Sequence, residues 1–319
     1  FKKQIEREKS VAAAVARGEE PPPAKEARGG DGGGLSLIPI IELCRVCPGM
    51  VTAMGVSMGL TSSAIMSKGT TAQKERWALD LLTMDKVGAW AITEPGSGSD
   101  AFGSMKSTAR RDGDDYILNG SKIWTTHAHF ANRMFGLVRT RFEGKPQTGI
   151  TFLLIDMASP GVTVQPIVTL AGEHELNAVF FDNVRVPKAN RLGEENDGWP
   201  VAKYLLEFER GGQYAPGLKV RVQRLREIAR QSLTSDDGAW SRLAELQIAI
   251  ESMEVTEHRV MTALASGANP GPMSSMLKTQ GTETMQRVEE LAVEIAGGYG
   301  AVDQSGMRTP GLNTSPVGP

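Results

Sequence analysis

The hydrophobic spacing of this chain changes twice along its length, and no other feature limits the fold as much. Residues 1–88 read as helical. Glu6 to Arg17 is charged and Ala-rich, a composition with high helix propensity. A breaker cluster follows, Pro21-Pro22-Pro23 and then Gly29 to Gly34 with Asp31 inside, which marks a linker, a loop or a join between ordered pieces. Leu37 to Met66 is apolar and rich in small residues; its length without period-2 alternation predicts buried helix. Thr71 is the expected N-cap of a further short helix reaching Leu82.

The spacing then becomes that of strands. Lys106 to Arg111, Asp112-Gly113 and Asp114 to Leu118 predict a hairpin, with Asp-Gly suited to the positive φ angles of a tight turn. Thr151 to Asp156, Val162 to Gln165 and Ala178 to Val186 are further strands separated by turn residues such as Pro160-Gly161. Short strands at this interval predict a compact antiparallel sheet or barrel. From Trp199 the helical period returns: Leu243, Leu246, Ile250 and Met253 share one face, as do Met285, Val288, Ala292 and Ile295. Such stripes are the seam of a helix bundle. The order gives an α+β fold: an N-terminal helical domain (1–88), a middle antiparallel β domain (89–195) and a C-terminal helix bundle (196–319).

Composition removes several function classes. Lys+Arg 35 against Asp+Glu 37 gives a net charge of −2 over 319 residues, so no overall field holds a nucleic acid or an anionic surface. No uninterrupted apolar run reaches the ~18–20 residues of a membrane helix. Two cysteines, Cys44 and Cys47, cannot build a disulfide framework. They predict a reducing, cytoplasmic setting and read as small buried residues on a helix. The first residue is Phe, so the native N-terminus and any targeting signal are expected to lie outside this sequence. His127, His129, His174 and His258 share no ligand spacing, and no metal is expected. Arg221, Arg224, Arg226 and Arg230 form a basic helix face, able to meet phosphates but most simply solvated.

The segment richest in chemistry is Trp90-Ala-Ile-Thr-Glu-Pro-Gly-Ser-Gly-Ser-Asp100. It lacks the Lys-Ser/Thr ending of a phosphate-binding P-loop and the GxGxxG spacing of a dinucleotide fold. By itself it is a strand running into a Gly/Ser turn. Its alternatives are a structural turn or a row of backbone N–H groups and hydroxyls open to an anionic or carbonyl-rich ligand.

Four segments in order carry a resemblance. After Ala91 to Asp100 come Asn119-Gly-Ser-Lys-Ile-Trp-Thr-Thr126, then Val179-Phe-Phe-Asp-Asn-Val-Arg-Val-Pro187, then Leu192-Gly-Glu-Glu-Asn-Asp-Gly-Trp199. Together they resemble the acyl-CoA dehydrogenase family, over about Gly69 to Gly300. The resemblance implies FAD and an acyl-CoA thioester oxidised to its trans-2-enoyl form, with electrons passed to an electron-transfer flavoprotein. It implies a flavin resting along Trp90 to Ser99, with Ile92 and Thr93 at the pyrimidine edge and Gly98 and Ser99 near the pyrophosphate and the CoA. Trp124 would pack on the isoalloxazine, Thr126 would lie near its N5 side, and Gly297 and Gly298 would join the cofactor site. Protein hydrogen bonds to the ring tune its electron affinity, and a flat aromatic stacks with little entropy loss.

In the family a carboxylate removes the substrate α-proton. That proton becomes removable when donors meet the developing enolate oxygen and when desolvation raises the base's pKa. Relatives carry the base either near the C-terminus, in a Tyr-Glu-Gly-Thr-like segment, or on a helix in a Leu-Glu-Arg context. The first segment is absent from this sequence, whereas Leu206-Glu-Phe-Glu-Arg-Gly211 resembles the second. Glu209 is the expected base and Arg210 a substrate neighbour. The alternative is a solvated charged face, with the base carried by sequence beyond Pro319. Glu207 points about 200° away from Glu209 around the helix.

Two departures bear on assembly. Gln231 to Trp240 lacks the Arg-x-x-Phe-Gly segment that many relatives use across a dimer interface, and Glu294 stands where Gln is frequent before Gly297-Gly298. An acid there weakens contact with a phosphate unless a cation answers it. A homo- or hetero-oligomer, dimer or tetramer, is expected. Two other readings stay open: a flavin oxidase or monooxygenase on the same fold, and a non-catalytic subunit of a heteromeric acyl-CoA dehydrogenase.

Overall fold

The structure, a computed structural model, describes residues 2–19, 37–210, 214–232, 237–266, 268 and 271–301. Contacts group the chain into two compact units, one of Phe1–Glu26 with Thr52–Leu206 and one of Ala27–Val51 with Glu207–Pro319. The helices are α1 (Lys2–Ala16), α2 (Leu37–Val46), α3 (Pro48–Met54), α4 (Ser62–Lys68), α5 (Thr71–Gln73), α6 (Leu79–Leu82), α7 (Trp199–Arg210), α8 (Ala215–Ser232), α9 (Asp237–Ala265) and α10 (Pro272–Ala296). Wider π-helical turns, Gly55–Thr61 and Lys74–Ala78, lead into α4 and α6.

In the first unit eight strands form one sheet: β1 (Gly88–Ala91), β2 (Thr108–Asp112), β3 (Asp115–Lys122), β4 (Arg133–Arg139), β5 (Ile150–Asp156), β6 (Val162–Val168), β7 (His174–Pro187) and β8 (Arg191–Leu192). Their order is β6-β7-β3-β2-β4-β5-β8, with β1 beside β4. The sheet is mainly antiparallel, but β1 runs parallel to β4, with Gly88 opposite Arg133 and Ala91 opposite Gly136. This departs from the wholly antiparallel expectation, because β1 enters from the helical layer and not from a hairpin. The hairpin between β2 and β3 forms with Asp112 opposite Asp115, and Gly113 takes the positive φ of 61°.

The central strands β4 and β5 are apolar at nearly every position because both faces are covered. Phe135, Leu137, Ile150, Phe152 and Leu154 face a core shared with Ile65, Trp77 and Leu81 of the helical layer. Met134, Val138, Leu153 and Ile155 face the opposite core with Tyr116, Leu118, Val179 and Val184.

The helical layer corrects three expectations. Thr70, not Thr71, is the N-cap: its hydroxyl accepts from Gln73 N–H while Gln73 Oε1 accepts from Thr70 N–H. The glutamine three residues on selects Thr70. Gly49–Lys68 is a 20-residue stretch of mean hydropathy 1.3, long and apolar enough to span a membrane, which a count of uninterrupted apolar residues misses. Here Ala64, Ile65 and Met66 pack into the core beside Trp77, and the Thr61 and Ser62 hydroxyls bond to backbone carbonyls of their own helix. Cys44 is half-buried but Cys47 is exposed, because it falls at the break before Pro48. Burial pushes the Cys44 thiol up, against the pull of Arg221.

In the second unit α8, α9 and α10 pack around Leu218, Val222 and Leu225, the stripe Leu243, Leu246, Ile250 and Met253, and Leu277, Val288, Leu291 and Ile295. The α9 stripe is as expected. On α10 the inward face is rotated: Leu277, Gly281, Thr284, Val288, Leu291 and Ile295 are buried, whereas Met285 is 37% exposed. The Tyr214 ring packs directly on this face, where a Cβ on Gly281 would come within 2.4 Å of it.

Candidate functional site

β1 ends at Ala91 and delivers the next residues to the edge of the sheet. Its Trp90 ring stacks on Phe135 at 4.4 Å between centroids and lies 5.7 Å from Phe152, so this indole is held by the core. Ile92 and Thr93 are half-buried. The Ile92 carbonyl accepts from Lys122 Nζ at 3.3 Å and the Thr93 carbonyl from Ile123 N–H at 3.0 Å. A tight turn follows, closed by reciprocal 3.0 Å backbone bonds between Glu94 and Ser97. Asp100 accepts from Gly103 N–H, which fixes the far end of the loop. Gly98 and Ser99 are exposed, and a Cβ on Gly96 or Gly98 would meet no protein atom within 4 Å. Packing within the chain therefore does not require glycine there; the bare backbone faces open space.

Glu94 sits beneath this turn, buried. It accepts from Lys122 Nζ at 2.8 Å and from the N–H groups of Lys106 and Ser107 at 2.6 and 3.0 Å. Burial, the largest influence, pushes its carboxyl up. The Lys122 charge and these hydrogen bonds outweigh it and hold the carboxyl below the usual range. The ion pair ties the turn to the end of β3.

β3 then runs into Ile123 to Phe130. Trp124 and His127 have φ of 60° and 56°, left-handed values that cost a bulky residue about 1–3 kcal/mol. Trp124 is 53% exposed, while Thr126 is half-buried. Thr125 is buried, and its hydroxyl has no hydrogen-bond partner among the described residues. The Ile123–Thr93 bond makes the two segments neighbours. One edge of the sheet thus gathers Ile92, Thr93, Gly98, Ser99, Trp124 and Thr126: a half-exposed indole beside carbonyls, hydroxyls and side-chain-free backbone. These groups suit a flat, polar-edged ring with an anionic tail, so the expected FAD fits them.

A cleft of about 810 Å³ elsewhere in this unit, lined by Lys68, Gln73, Arg76, Trp77, Lys188 and Arg191 among others, contains none of these residues.

The remaining expected site residues fall in the second unit. Glu209 and Arg210 close the last turn of α7, and their side chains lie outside the described residues. Gly297 caps α10 with φ 54°, its N–H donating to Val293 and Glu294 carbonyls, and Gly298 is exposed beyond it. Glu294 is answered by Arg242 at 2.5 Å. Of the basic face on α8, Arg221 pairs with Glu289 and Arg226 bonds to Gln247.

Known proteins share this order of domains. Residues 4–85, 89–184 and 196–310 match the N-terminal, middle and C-terminal domains of acyl-CoA dehydrogenase. An acyl-CoA dehydrogenase of Bacillus subtilis is 30% identical over 296 residues, covering 87% of this chain and 76% of that protein. The chain belongs to the acyl-CoA dehydrogenase family. An acyl-CoA dehydrogenase of Mycobacterium tuberculosis is 34% identical over 208 residues, 61% of this chain and 54% of the relative, so the chain spans about half of that protein's length. The crystal structure of acyl-CoA dehydrogenase from Geobacillus kaustophilus superposes with a TM-score of 0.76 at 26% identity, covering 93% of this chain and 83% of that one.

The acyl-CoA dehydrogenase middle domain spans both halves of the sheet-edge site. Two of its features escaped sequence reasoning. Glu94 lies inside the Ala91–Asp100 segment, but its partner stands 28 residues on, and no local pattern links the two. The histidines, unrelated by spacing, meet in space: His129 and His174 stack at 3.9 Å and His127 lies 6.5 Å from His129.

Proposed function

We propose that this chain is the core of an FAD-dependent acyl-CoA dehydrogenase that converts an acyl-CoA thioester to the trans-2-enoyl-CoA and passes electrons to an electron-transfer flavoprotein. The observation that carries the reading is Trp124, an indole kept half in solvent at a strained φ beside Thr93 and the glycine turn. A fold keeps such strain where a ligand uses it.

Bound FAD supplies the electron acceptor. Ile92 and Thr93 would meet the ring at its pyrimidine edge, Trp124 would pack on it, and Thr126 would lie near its N5 side. Gly98 and Ser99 leave room for the pyrophosphate and CoA, and Gly297 and Gly298 add backbone to the cofactor site. Glu209 takes the α-proton, and Arg210 lies beside the substrate. A carboxylate kept from water is a strong enough base for this once donors meet the enolate oxygen. The proposed organisation is three domains, at 1–88, 89–195 and 196–319, working as a dimer or tetramer. The proposed setting is cytoplasmic, where Cys44 and Cys47 stay reduced.

The test is the absorbance spectrum of the purified protein before and after addition of acyl-CoAs. Flavin bands that bleach with one acyl-CoA are expected. Glu209→Gln should keep the yellow colour and lose the bleaching. A colourless protein that takes up no added FAD overturns the cofactor assignment; unchanged bleaching in the variant removes Glu209 from the mechanism.

A further inference from the structure

Asn177 is fully buried on β7, directly beneath the strained turn. Its backbone carbonyl accepts from Thr125 N–H at 3.0 Å, and its side-chain Nδ2 donates to the Thr125 carbonyl at 3.0 Å. Because a carbonyl only accepts, this bond fixes which end of the amide faces the turn. Nδ2 must then donate its second hydrogen to His129 Nδ1, 3.0 Å away, and Oδ1 must accept from His174 Nε2 at 2.8 Å. The His129 and His174 rings stack at 3.9 Å, which closes the set. Glu175 adds a carbonyl that accepts from His127 N–H.

The donor and acceptor pattern has one solution. His129 Nδ1 must present a lone pair, so His129 is neutral with its hydrogen on Nε2. A proton from solvent on Nδ1 would set N–H against N–H and place a cation against the stacked His174. We propose that Asn177, held between His129 and His174, is the positioning residue of the Trp124–His127 turn, and that a proton on His129 opens this arrangement. The turn then relaxes from its left-handed angles and Trp124 leaves its place.

The surroundings favour that behaviour. Burial, then His174, then His127 hold the His129 imidazole below its ordinary range, and the Asn177 N–H aimed at the Nδ1 lone pair acts in the same direction. Other charges on the neighbouring elements are Glu175, Asp182 and Arg185 on β7, Glu173 ahead of it, Asp115 on β3, which pairs with Arg185, Lys122 at the end of β3, which is neutralised by Glu94, and Arg133 and Arg139 on β4, of which Arg133 pairs with Asp156 of β5. β6, beside β7, carries no titratable side chain.

The inference rests on the FAD reading only for its consequence, not for the network. His174 is exposed, so replacing it spares the core. The test uses the full chain, with the Trp124 indole N–H signal assigned through Trp124→Phe, and FAD binding measured by fluorescence quenching. In the wild type the Trp124 signal should move with a midpoint below about pH 6.5. FAD affinity should fall about tenfold as pH drops through the transition of that signal, in step with it. His174→Ala should show the low-pH Trp124 signal and weakened FAD binding at all pH values, while His174→Gln, which keeps a donor, should restore both. A Trp124 signal that ignores pH, or a His174→Ala protein matching the wild type, overturns the proposal. A Trp124 signal that follows the proton in a protein that never binds FAD upholds the network and sinks the cofactor assignment alone.

Discussion

At the scale of single residues the Glu94–Lys122 pair matters most to the site's shape. Both side chains are nearly inaccessible, and removing one partner of such a pair leaves an uncompensated charge at a cost of about 3–5 kcal/mol. Glu94→Gln should therefore lower unfolding free energy by about that amount and disturb the Glu94–Ser97 turn, as read by urea denaturation. Adding Lys122→Met to Glu94→Gln should recover a large part of the loss. Equal stability of the single and double variants would show that the pair does not act as a unit. Sequence inspection singled out the residues around Glu94 for their smallness and hydroxyls, yet it passed over the acid, since a carboxylate's meaning depends on what is folded against it.

At the scale of elements, short-range chemistry wrote most of the boundaries. Asp112-Gly113 closes the β2–β3 hairpin because Gly113 accepts a positive φ, and Gly297 stops α10 for the same reason. The start of α5 shows a local rule and a long-range one together. Thr70 and Gln73 form a capping box, and Gln73 Nε2 also donates to the carbonyls of Ala189 and Arg191 at 2.8 and 2.7 Å. Thr70→Ala should cost about 1 kcal/mol. Gln73→Ala should cost more, about 2–3 kcal/mol, because it also orphans carbonyls across the unit. Thermal melts that rank the two the other way would assign Gln73 to local capping only. The face of α10 was misread for a related reason. Counting apolar residues selects Met285, but the buried face also includes Gly281 and Thr284, and Gly281 leaves the room that the Tyr214 ring fills.

At the scale of the whole molecule, buried carboxylates set how stability follows pH, and two of them act in opposite directions. Glu94 is held below the usual range, so its contribution is present above the ordinary glutamate pKa and is lost as pH falls through the depressed one. Glu257 is the reverse. It lies buried on α9 and accepts from Tyr214 and Ala215 N–H at the start of α8, and burial, joined by the charge of Glu254, raises its pKa over the effect of those bonds. Its favourable contribution belongs to low pH and is lost as pH rises through the raised pKa. Glu257→Gln keeps an acceptor without the charge. Its melting temperature relative to the wild type should climb from about pH 4 to about pH 8; a flat difference would contradict the assignment. Taken alone, the sequence determined the order of helical layer, sheet and bundle and the turns that punctuate it, because periodicity, glycine and capping act within a few residues of chain. Only the tertiary structure decided that Glu94 answers Lys122, that Asn177 joins three histidines' neighbourhood to a strained turn, and that Gly281 yields to Tyr214. Those choices depend on groups far apart in sequence competing for the same hydrogen bonds, charge and volume, and that competition exists only once the chain has closed on itself.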